Sequence, residues 1–267
     1  MKIKVIKMNR SIVVGGLKSL GYVTFAVTLR GKNMKTALIT GGTQGIGFGV
    51  AEVLLRAGWK VAITGRTTKQ VEESTALLNA IKEGHALGVV ADVRNYEQQQ
   101  RAIEKLLQTW GQLDVLVANA GLGHFGSIEN ISIEQWQETL DTNLTGVFYS
   151  IKVCLESLKK SQGYIITIAS LAGTNFFAGA SAYNASKFGL VGFTQAIMLD
   201  LREYGIKVST IMPGSVATNF NNHEPNAQDD WKIQPEDLGQ LVLDMLNMNP
   251  RTLPSKIEVR PSRPKGK

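Results

Sequence analysis

Cysteine and histidine are scarce in this chain of 267 residues, and their scarcity excludes several kinds of chemistry. The single cysteine, Cys154, rules out an intrachain disulfide framework and a metal site built from several thiolates. The three histidines, His85, His124 and His223, are scattered without the spacing of metal ligands, so we expect no metal. So little cysteine is typical of a reducing compartment, which predicts a cytoplasmic protein.

The chain also lacks a net charge over most of its length. Seven of the 29 basic residues and none of the 22 acidic residues lie in residues 1–33, which leaves 22 of each sign in residues 34–267. A protein that binds nucleic acid needs a basic face on its folded part, and this balance shows none. The formal net charge of +7 therefore belongs to the N-terminal segment, and we expect no nucleic-acid partner.

The N-terminal segment lacks an apolar run long enough to cross a membrane. It combines a basic start with an apolar stretch, but Lys18 interrupts that stretch well short of roughly 20 residues. No small-residue cleavage site follows, whereas Met34 opens a run typical of the first strand of a domain. The sequence predicts a basic, poorly ordered extension over residues 1–33, or sequence upstream of the true start, and a domain over residues 34–267. We expect no membrane association.

From residue 34 onward, apolar runs of strand length alternate with segments of helical periodicity. The predicted strands are Thr36–Thr40, Val61–Thr64, Ala86–Ala91, Val115–Ala118, Tyr164–Ala169, Val208–Met212 and Ile257–Val259. The predicted helices are Ile46–Ala57, Val71–Lys82, Gln98–Trp110, Ile133–Lys160, Ala182–Tyr204 and Pro235–Asn247. Most of the strands are too continuously apolar to have a solvated face, which indicates a parallel sheet covered on both faces. The alternation predicts one doubly wound α/β domain.

A glycine-rich turn joins the first predicted strand to the first predicted helix. Residues 40–47 read Thr-Gly-Gly-Thr-Gln-Gly-Ile-Gly, with the spacing T-G-x-x-x-G-x-G. Glycines let the backbone approach a pyrophosphate closely, and the N–H groups and dipole of the helix N-terminus stabilise its charge. Many turns contain glycine, so it is the position between strand and helix that favours a dinucleotide site.

Arg66 follows the second predicted strand, 19 residues after Gly47. A dinucleotide site reads the adenosine ribose near this place, with an acid for a 2′-hydroxyl or an arginine for a 2′-phosphate. No acid follows before Glu72. Arg66 is equally compatible with an ordinary solvated arginine at a strand end, but the glycine turn upstream favours NADP(H), with NAD(H) as the second choice.

Tyr183 and Lys187 are four residues apart on a predicted helix, so their side chains share one face. Such a pair is common on protein surfaces. Here, however, Ser170 ends the preceding buried strand, and Asn119 and Gly121 end the strand before it. Because ligands of open α/β sheets bind at the carboxyl ends of the strands, we expect these side chains to share one site.

Taken together, the motifs resemble those of the single-domain short-chain dehydrogenases/reductases. The matching motifs, in the family's order and spacing, are residues 40–47, Asp92, Asn119-Ala120-Gly121, Asn143, Ser170, Tyr183-x-x-x-Lys187 and Pro213-Gly214. The resemblance implies a Rossmann-type sheet of about seven strands, a nicotinamide cofactor and a homodimer or homotetramer. The chain departs from the family at Ala118, where an asparagine is usual, and in residues 1–33, which have no counterpart.

The resemblance also implies a catalytic tetrad of Asn143, Ser170, Tyr183 and Lys187. Tyr183 would be the general acid or base, since Lys187 and the cofactor's charge should lower its pKa from about 10. Ser170 would orient the substrate oxygen, and the carbonyl of Asn143 would hold a water linked to Lys187. The implied cofactor-binding residues are Gly41, Thr43, Gln44, Gly45, Ile46, Gly47, Arg66, Thr67, Asp92, Val93, Asn119, Ala120, Gly121, Tyr183, Lys187, Pro213, Gly214, Val216 and Thr218.

Further residues lie close to these motifs along the chain. The candidate substrate-contacting residues are His124, Phe125, Phe176, Phe177 and Phe220, although packing of the loops would explain them equally well. The sequence thus predicts an oxidoreductase that moves a hydride between NADPH and a small-molecule carbonyl or alcohol. Two alternatives stay open: a 3-oxoacyl-acyl-carrier-protein reductase of fatty-acid synthesis, and an NADP-sensing regulator that has lost catalysis.

Overall fold

The computed structural model describes residues 4–8, 11–17, 22–27 and 34–263. The chain divides into two compact units, Met1–Met34 and Lys35–Lys267. The first unit contains strands β1 (Lys4–Met8), β2 (Ser11–Leu17) and β3 (Tyr22–Val27), which pair antiparallel in that order. Parts of this segment lie outside the described residues, and its expected disorder and the division of the chain at residue 33 stay predictions.

The described part of the second unit alternates strands and helices. Its strands are β4 (Thr36–Ile39), β5 (Lys60–Gly65), β6 (Ala86–Val90), β7 (Val115–Ala118), β8 (Tyr164–Ile168), β9 (Lys207–Pro213) and β10 (Lys256–Val259). Its helices are α1 (Gly45–Arg56), α2 (Thr68–Ile81), α3 (Tyr96–Trp110), α4 (Ile133–Leu140), α5 (Gly146–Ser161), α6 (Ser181–Asp200) and α7 (Pro235–Asn247). Within the described residues, no helix is both long and apolar enough to cross a bilayer.

The seven strands form one parallel sheet in the order β10-β9-β8-β7-β4-β5-β6. The chain builds outward from β4 to β6, then crosses back and builds outward from β7 to β10. The strand order therefore reverses between β4 and β7, and a crevice for ligands opens at such a reversal. The doubly wound parallel sheet predicted from the sequence is confirmed.

Alternate residues of each central strand enter separate hydrophobic cores. On β4, Ile39 packs into the core formed with α1 and α7, whereas Leu38 packs into the core formed with α3, α5 and α6. Both side chains are buried. Because the two faces of the sheet are both covered, the strands read as continuous apolar runs.

The long helix predicted over residues 133–160 is interrupted. Helix α4 ends at Leu140, residues Asp141–Thr145 form a π-helical turn, and α5 begins at Gly146. The turn contains Asn143, whose fully buried side chain bonds the backbone of Leu122 in the loop after β7. Apolar periodicity does not reveal such a turn, because the helical face continues through it. Single π-turns of this kind are frequent at functional sites.

Two glycines let α1 and α7 pack unusually closely. A Cβ added to Gly49 would lie 2.5 Å from the carbonyl carbon of Pro235, and one added to Gly239 would lie 2.7 Å from the carbonyl oxygen of Gly49. Both obstacles are backbone atoms, which cannot rotate away. The contact between the helices therefore depends on the missing side chains.

We expect Gly49→Ala to destabilise the protein by about 1–3 kcal/mol, because the extra methyl group overpacks this contact. Urea unfolding monitored by circular dichroism measures the change. Gly192→Ala is the matched control, since Gly192 lies within α6 and its Cβ would meet no atom within 4 Å. That substitution should stabilise the protein by roughly 0.5–1 kcal/mol through helix propensity. Equal effects of the two substitutions would contradict the packing argument.

Candidate active site

A cleft of about 930 Å³ opens at the carboxyl ends of the parallel strands. Its wall includes most of the residues singled out in the sequence: Gly41, Thr43, Gln44, Gly45, Ile46, Arg66, Thr67, Asp92, Val93, Asn119, Ala120, Gly121, His124, Phe125, Ser170, Phe177, Tyr183, Lys187, Pro213, Gly214, Val216, Thr218 and Phe220. The structure thus brings together residues that are up to 179 positions apart in the chain. Gly47, Asn143 and Phe176 are not part of the wall.

The glycine turn is shaped by positions that no side chain fits. Gly41 has φ +63°, and a Cβ there would lie 2.8 Å from the Cα of Ala120. Gly45 has φ +55°, and a Cβ there would lie 3.2 Å from the Cγ2 of Thr218. Gly47 lies beneath the turn, where a Cβ would collide with the carbonyl of Gly41 and with the side chain of Asn119. At Gly41 and Gly45 the turn therefore presents bare backbone to the cleft.

Helix α1 begins at this turn without a side-chain cap. Gln44, its N-cap residue, is extended and makes no capping hydrogen bond, and the first turn of the helix contains no acid. The first N–H groups of a helix have no intrahelical partner, and the helix dipole adds positive potential there. Bare backbone beside a free helix N-terminus fits the pyrophosphate of a dinucleotide, so these residues suit a nicotinamide cofactor.

Asn119 joins the two halves of the sheet beside the turn. Its side-chain amide donates to the backbone carbonyls of Thr40, at 3.0 Å, and Gly41, at 2.9 Å. The hydroxyl of Thr40 in turn accepts from the N–H groups of Asn119 and Ala120. These bonds hold the end of β7 against the end of β4, where the strand order reverses. Asn119 therefore supports the glycine turn from below.

Charged side chains of both signs line the end of the cleft that follows β5 and β6. Arg94 bonds Asp92 at 2.6 Å and Glu138 at 2.9 Å. Arg66 lies 3.8 Å from the same oxygen of Glu138, and its side chain is 61% exposed. The hydrogen bond from His124, followed by the nearby arginines, holds the pKa of Glu138 below its usual range, although burial opposes this. Asp92, one of the expected cofactor-binding residues, is thus also a partner of Arg94.

Ser170, Tyr183 and Lys187 meet near the middle of the cleft. Ser170 follows β8 and its hydroxyl also accepts from the N–H of Ala172, at 3.1 Å. Tyr183, on α6, lies close enough for the Ser170 hydroxyl to favour its phenolate form. The Nζ of Lys187 donates to the carbonyl of Ile168, at 3.0 Å, and lies 5.7 Å from the centre of the Tyr183 ring. A hydroxyl, a phenol and an amine therefore surround one point of the cleft.

Burial acts on both titratable members of this group. It lowers the pKa of the Lys187 ammonium to about 8, because that side chain is almost completely enclosed. It raises the pKa of Tyr183, which the hydrogen bond with Ser170 partly offsets. The sequence predicts a lowered pKa for Tyr183 when the charged nicotinamide is bound. The protein residues alone do not supply that charge. Without that charge Tyr183 is a neutral phenol, the form that donates a proton.

Asn143 lies behind this group. Its side chain pairs with both backbone groups of Leu122, at 2.9 and 2.8 Å, and donates to the hydroxyl of Ser186, at 3.0 Å. A Cβ added to Gly121 would lie 3.2 Å from the Asn143 Oδ1 and 3.6 Å from the Lys187 Nζ. Asn143 therefore anchors the loop after β7 next to Lys187, and Gly121 leaves the space between them open.

Two phenylalanines lie against Tyr183, and a third stacks on one of them. The ring of Phe125 lies 5.3 Å from that of Tyr183 and 6.2 Å from those of Phe177 and Phe220. Phe220 lies 5.7 Å from Tyr183. Phe176 is 85% exposed and lies apart from the cleft wall. The structure therefore brings two of the four expected phenylalanines to Tyr183 and places a third, Phe177, against Phe125.

Several residues of the cleft were not identified from the sequence. Examples are Glu138, Thr142, Gln70, His223 and Lys232. Glu138 and Thr142 precede Asn143 on the interrupted helix, so their turn towards the cleft depends on the π-helical segment. His223 and Lys232 both contact Asp229, at 2.5 and 2.6 Å. The helical periodicity that continues to residue 160 gives no sign that Glu138 and Thr142 turn towards the cleft.

Sequence comparisons agree with the geometry. The model of the short chain dehydrogenase family matches residues 35–229. A trans-4-hydroxycyclohexanecarboxylate dehydrogenase of Sinomonas cyclohexanicum is 36% identical over 189 residues, which cover 69% of this chain and 73% of the relative. A 3-oxoacyl-acyl-carrier-protein reductase of Buchnera aphidicola is 34% identical over 189 residues, covering 70% and 76%.

Structural comparisons give the same answer. An alcohol dehydrogenase from the archaeon Thermococcus sibiricus, solved with 5-hydroxy-NADP, superimposes with a TM-score of 0.81 at 26% identity, covering 87% of this chain and all of that one. A 3-ketoacyl-(acyl-carrier-protein) reductase from Brucella melitensis, solved with NADH, gives a TM-score of 0.78 at 25% identity, covering 86% and 98%. With its glycine turn, its Ser-Tyr-Lys group and these matches, the chain belongs to the short-chain dehydrogenase/reductase family of oxidoreductases.

Proposed function

We propose that the protein is an NADPH-preferring oxidoreductase that interconverts a small-molecule carbonyl compound and its alcohol. The observation that carries this proposal is the placement of Ser170, Tyr183 and Lys187 in the same cleft as the glycine turn. A nicotinamide cofactor bound there supplies or accepts the hydride. The proposed cofactor-binding residues are the ones that the sequence analysis names, and all of them except Gly47 lie in the cleft wall. Gly47 and Asn143 support the wall from behind.

In the direction of reduction, the carbonyl carbon of the substrate accepts a hydride and its oxygen accepts a proton. Tyr183 donates that proton, and its neutral state in the buried site suits this role. Ser170 donates a hydrogen bond to the same oxygen and stabilises its developing charge. Lys187 stabilises the phenolate that is left, because a nearby ammonium favours the charged form of the phenol. Oxidation of the alcohol reverses each step.

Two alternatives are weaker. A 3-oxoacyl-acyl-carrier-protein reductase is supported by the names of two relatives, one from each comparison. An NADP-sensing regulator without catalysis would not need Ser170, Tyr183 and Lys187 to converge. We favour the reductase of a free small molecule. A cytoplasmic location and assembly into a homodimer or homotetramer stay predictions of the sequence.

Tyr183→Phe tests the assignment of the proton donor. We expect turnover, measured as NADPH consumption, to fall by about 10²- to 10⁴-fold, because the ring is kept and the proton is lost. NADPH binding, followed by its fluorescence, should change little. Tyr204→Phe is the control, since Tyr204 is exposed and lies outside the cleft wall. A Tyr183→Phe protein that turns over normally would refute the mechanism.

Arg66→Ala tests the cofactor preference. The family resemblance suggests exchanging Gly65, where NAD-preferring members usually carry an aspartate, for Asp together with Arg66 for Ile. A Cβ on Gly65, however, would lie 2.6 Å from the Cγ2 of Thr43. The single change avoids that collision. Because a charge-assisted hydrogen bond contributes roughly 1.5–3 kcal/mol, affinity for NADPH should fall about 10- to 100-fold while affinity for NADH is kept.

Titration calorimetry measures both affinities. Lys69→Ala is the matched control, because it removes a highly exposed cation from the neighbouring helix α2, outside the cleft wall. It should leave both affinities unchanged. An unmodified protein that binds NADH as tightly as NADPH would contradict the role given to Arg66, although hydride transfer itself would stand.

A further inference from the structure

The phenylalanines around Tyr183 remain open to solvent within a cleft. Phe125 is 41% exposed, Phe177 52% and Phe220 39%. Large apolar side chains left exposed together are typical of a surface that another molecule covers. Aromatic rings pair best with other rings, in stacked or edge-on arrangements. The observed interplanar angles of 27° for Phe125 with Phe177 and 77° for Phe125 with Phe220 include both arrangements.

The charged groups near these rings already have partners. His124 contacts Glu138 at 2.8 Å. Lys232 contacts Asp229 at 2.6 Å, and His223 contacts the other oxygen of the same carboxylate at 2.5 Å. The hydrogen bonds from Lys232 and His223 lower the pKa of Asp229 to about 2, so its charge compensates the lysine at neutral pH. An anionic substrate would therefore have to compete with Glu138 and Asp229 for these cations.

Resting on the function proposed above, we propose that the substrate is an uncharged ketone or aldehyde with a planar apolar ring next to its carbonyl group. The ring lies against Phe125 and Phe220, which places the carbonyl oxygen at Tyr183 and Ser170. On reduction the carbonyl carbon gains the hydride of NADPH and the oxygen gains the proton of Tyr183, which yields NADP⁺ and an uncharged alcohol. Carboxylated substrates are disfavoured because the nearby cations are already paired, and acetoacetyl thioesters are disfavoured because they have no ring to lie against Phe125 and Phe220.

The test compares acetophenone with its 4-carboxylate, which has the same ring and reacting group but adds a negative charge. Butanone, which lacks the ring, and the acetoacetyl thioester of N-acetylcysteamine complete the panel. We expect kcat/KM for acetophenone to exceed that for each of the other three by about tenfold or more. A carboxylate or thioester that reacts as well as acetophenone would overturn the inference. If NADPH reduces none of the four, the function proposed above fails with it.

Phe125→Ala separates the ring contact from a general loss of activity. KM for acetophenone should rise about tenfold with little change in kcat, whereas KM for butanone should stay the same. Leu77→Ala is the control, because it removes an exposed apolar side chain on α2, outside the cleft wall. Equal losses of kcat/KM for both ketones in Phe125→Ala, or no loss for either, would show that Phe125 only packs its loop.

A second inference comes from the other end of the cleft. Glu138 lies 3.8 Å from Arg66 and 2.9 Å from Arg94, while Asp92 lies 2.6 Å from Arg94. Two arginines and two carboxylates thus share this end, and their formal charges cancel. A 2′-phosphate that reaches Arg66 must come close to the carboxylate of Glu138, and two negative charges at such distances repel. We infer that Glu138 is a specificity-determining residue that weakens the preference of this site for a 2′-phosphate.

Binding of adenosine 2′,5′-bisphosphate and of adenosine 5′-monophosphate tests this inference without any turnover. In Glu138→Gln, which keeps the shape and a hydrogen bond for His124, the bisphosphate should bind about tenfold more tightly and the monophosphate equally well. Glu134→Gln removes the same charge one turn earlier on α4, at an exposed position outside the cleft wall, and should change neither affinity.

An unchanged or weaker affinity of Glu138→Gln for the bisphosphate would overturn the role of Glu138. The same tightening in Glu134→Gln would also overturn it, because the effect would then belong to net charge. If the unmodified protein binds neither nucleotide, the proposed nucleotide site itself is wrong. These results differ from one another, so they distinguish a failure of the Glu138 role from a failure of the nucleotide site.

Discussion

The reversal of strand order between β4 and β7 is the constraint on which the rest of the structure depends. At this place the two halves of the sheet diverge, and hydrogen bonds of Asn119 and Thr40 hold their ends together. The close approach of Gly41 to Ala120 is a consequence, because the turn after β4 must pass over the end of β7. The cleft, the open helix N-terminus of α1 and the reactive side chains all follow from this junction.

The cleft divides into parts with different electrostatics. Its end beside β5 and β6 holds partly exposed ion pairs, which are individually weak. Its centre encloses Lys187 so thoroughly that burial alone brings the pKa of its ammonium close to neutral. Beyond Tyr183 the wall is aromatic. In the proposed function, cofactor binding, proton transfer and recognition of the remaining part of the substrate therefore occupy successive regions of one cleft.

Much of this arrangement could be predicted from local patterns. The strands, the glycine turn and the Tyr-Lys pair each depend on short-range spacing, and the structure confirms the doubly wound sheet that they imply. The break at Asp141–Thr145 could not be predicted in this way, since the contact that accompanies it pairs Asn143 with Leu122, 21 residues away. The contacts of Glu138 could not be predicted from local patterns either. Its partners Arg66, Arg94 and His124 come from three different loops.

The amino-acid sequence by itself determined the fold class and the place of the glycine turn, and its resemblance to a known family singled out Ser170, Tyr183 and Lys187 as candidate catalytic residues. Hydrophobic periodicity and glycine spacing act over a few residues, so they can be recognised without knowing the fold. Only the tertiary structure decided which charges compensate one another and which aromatic rings face Tyr183. Electrostatic energy and ring contacts depend on distances between residues far apart in the chain, and packing of the loops sets those distances.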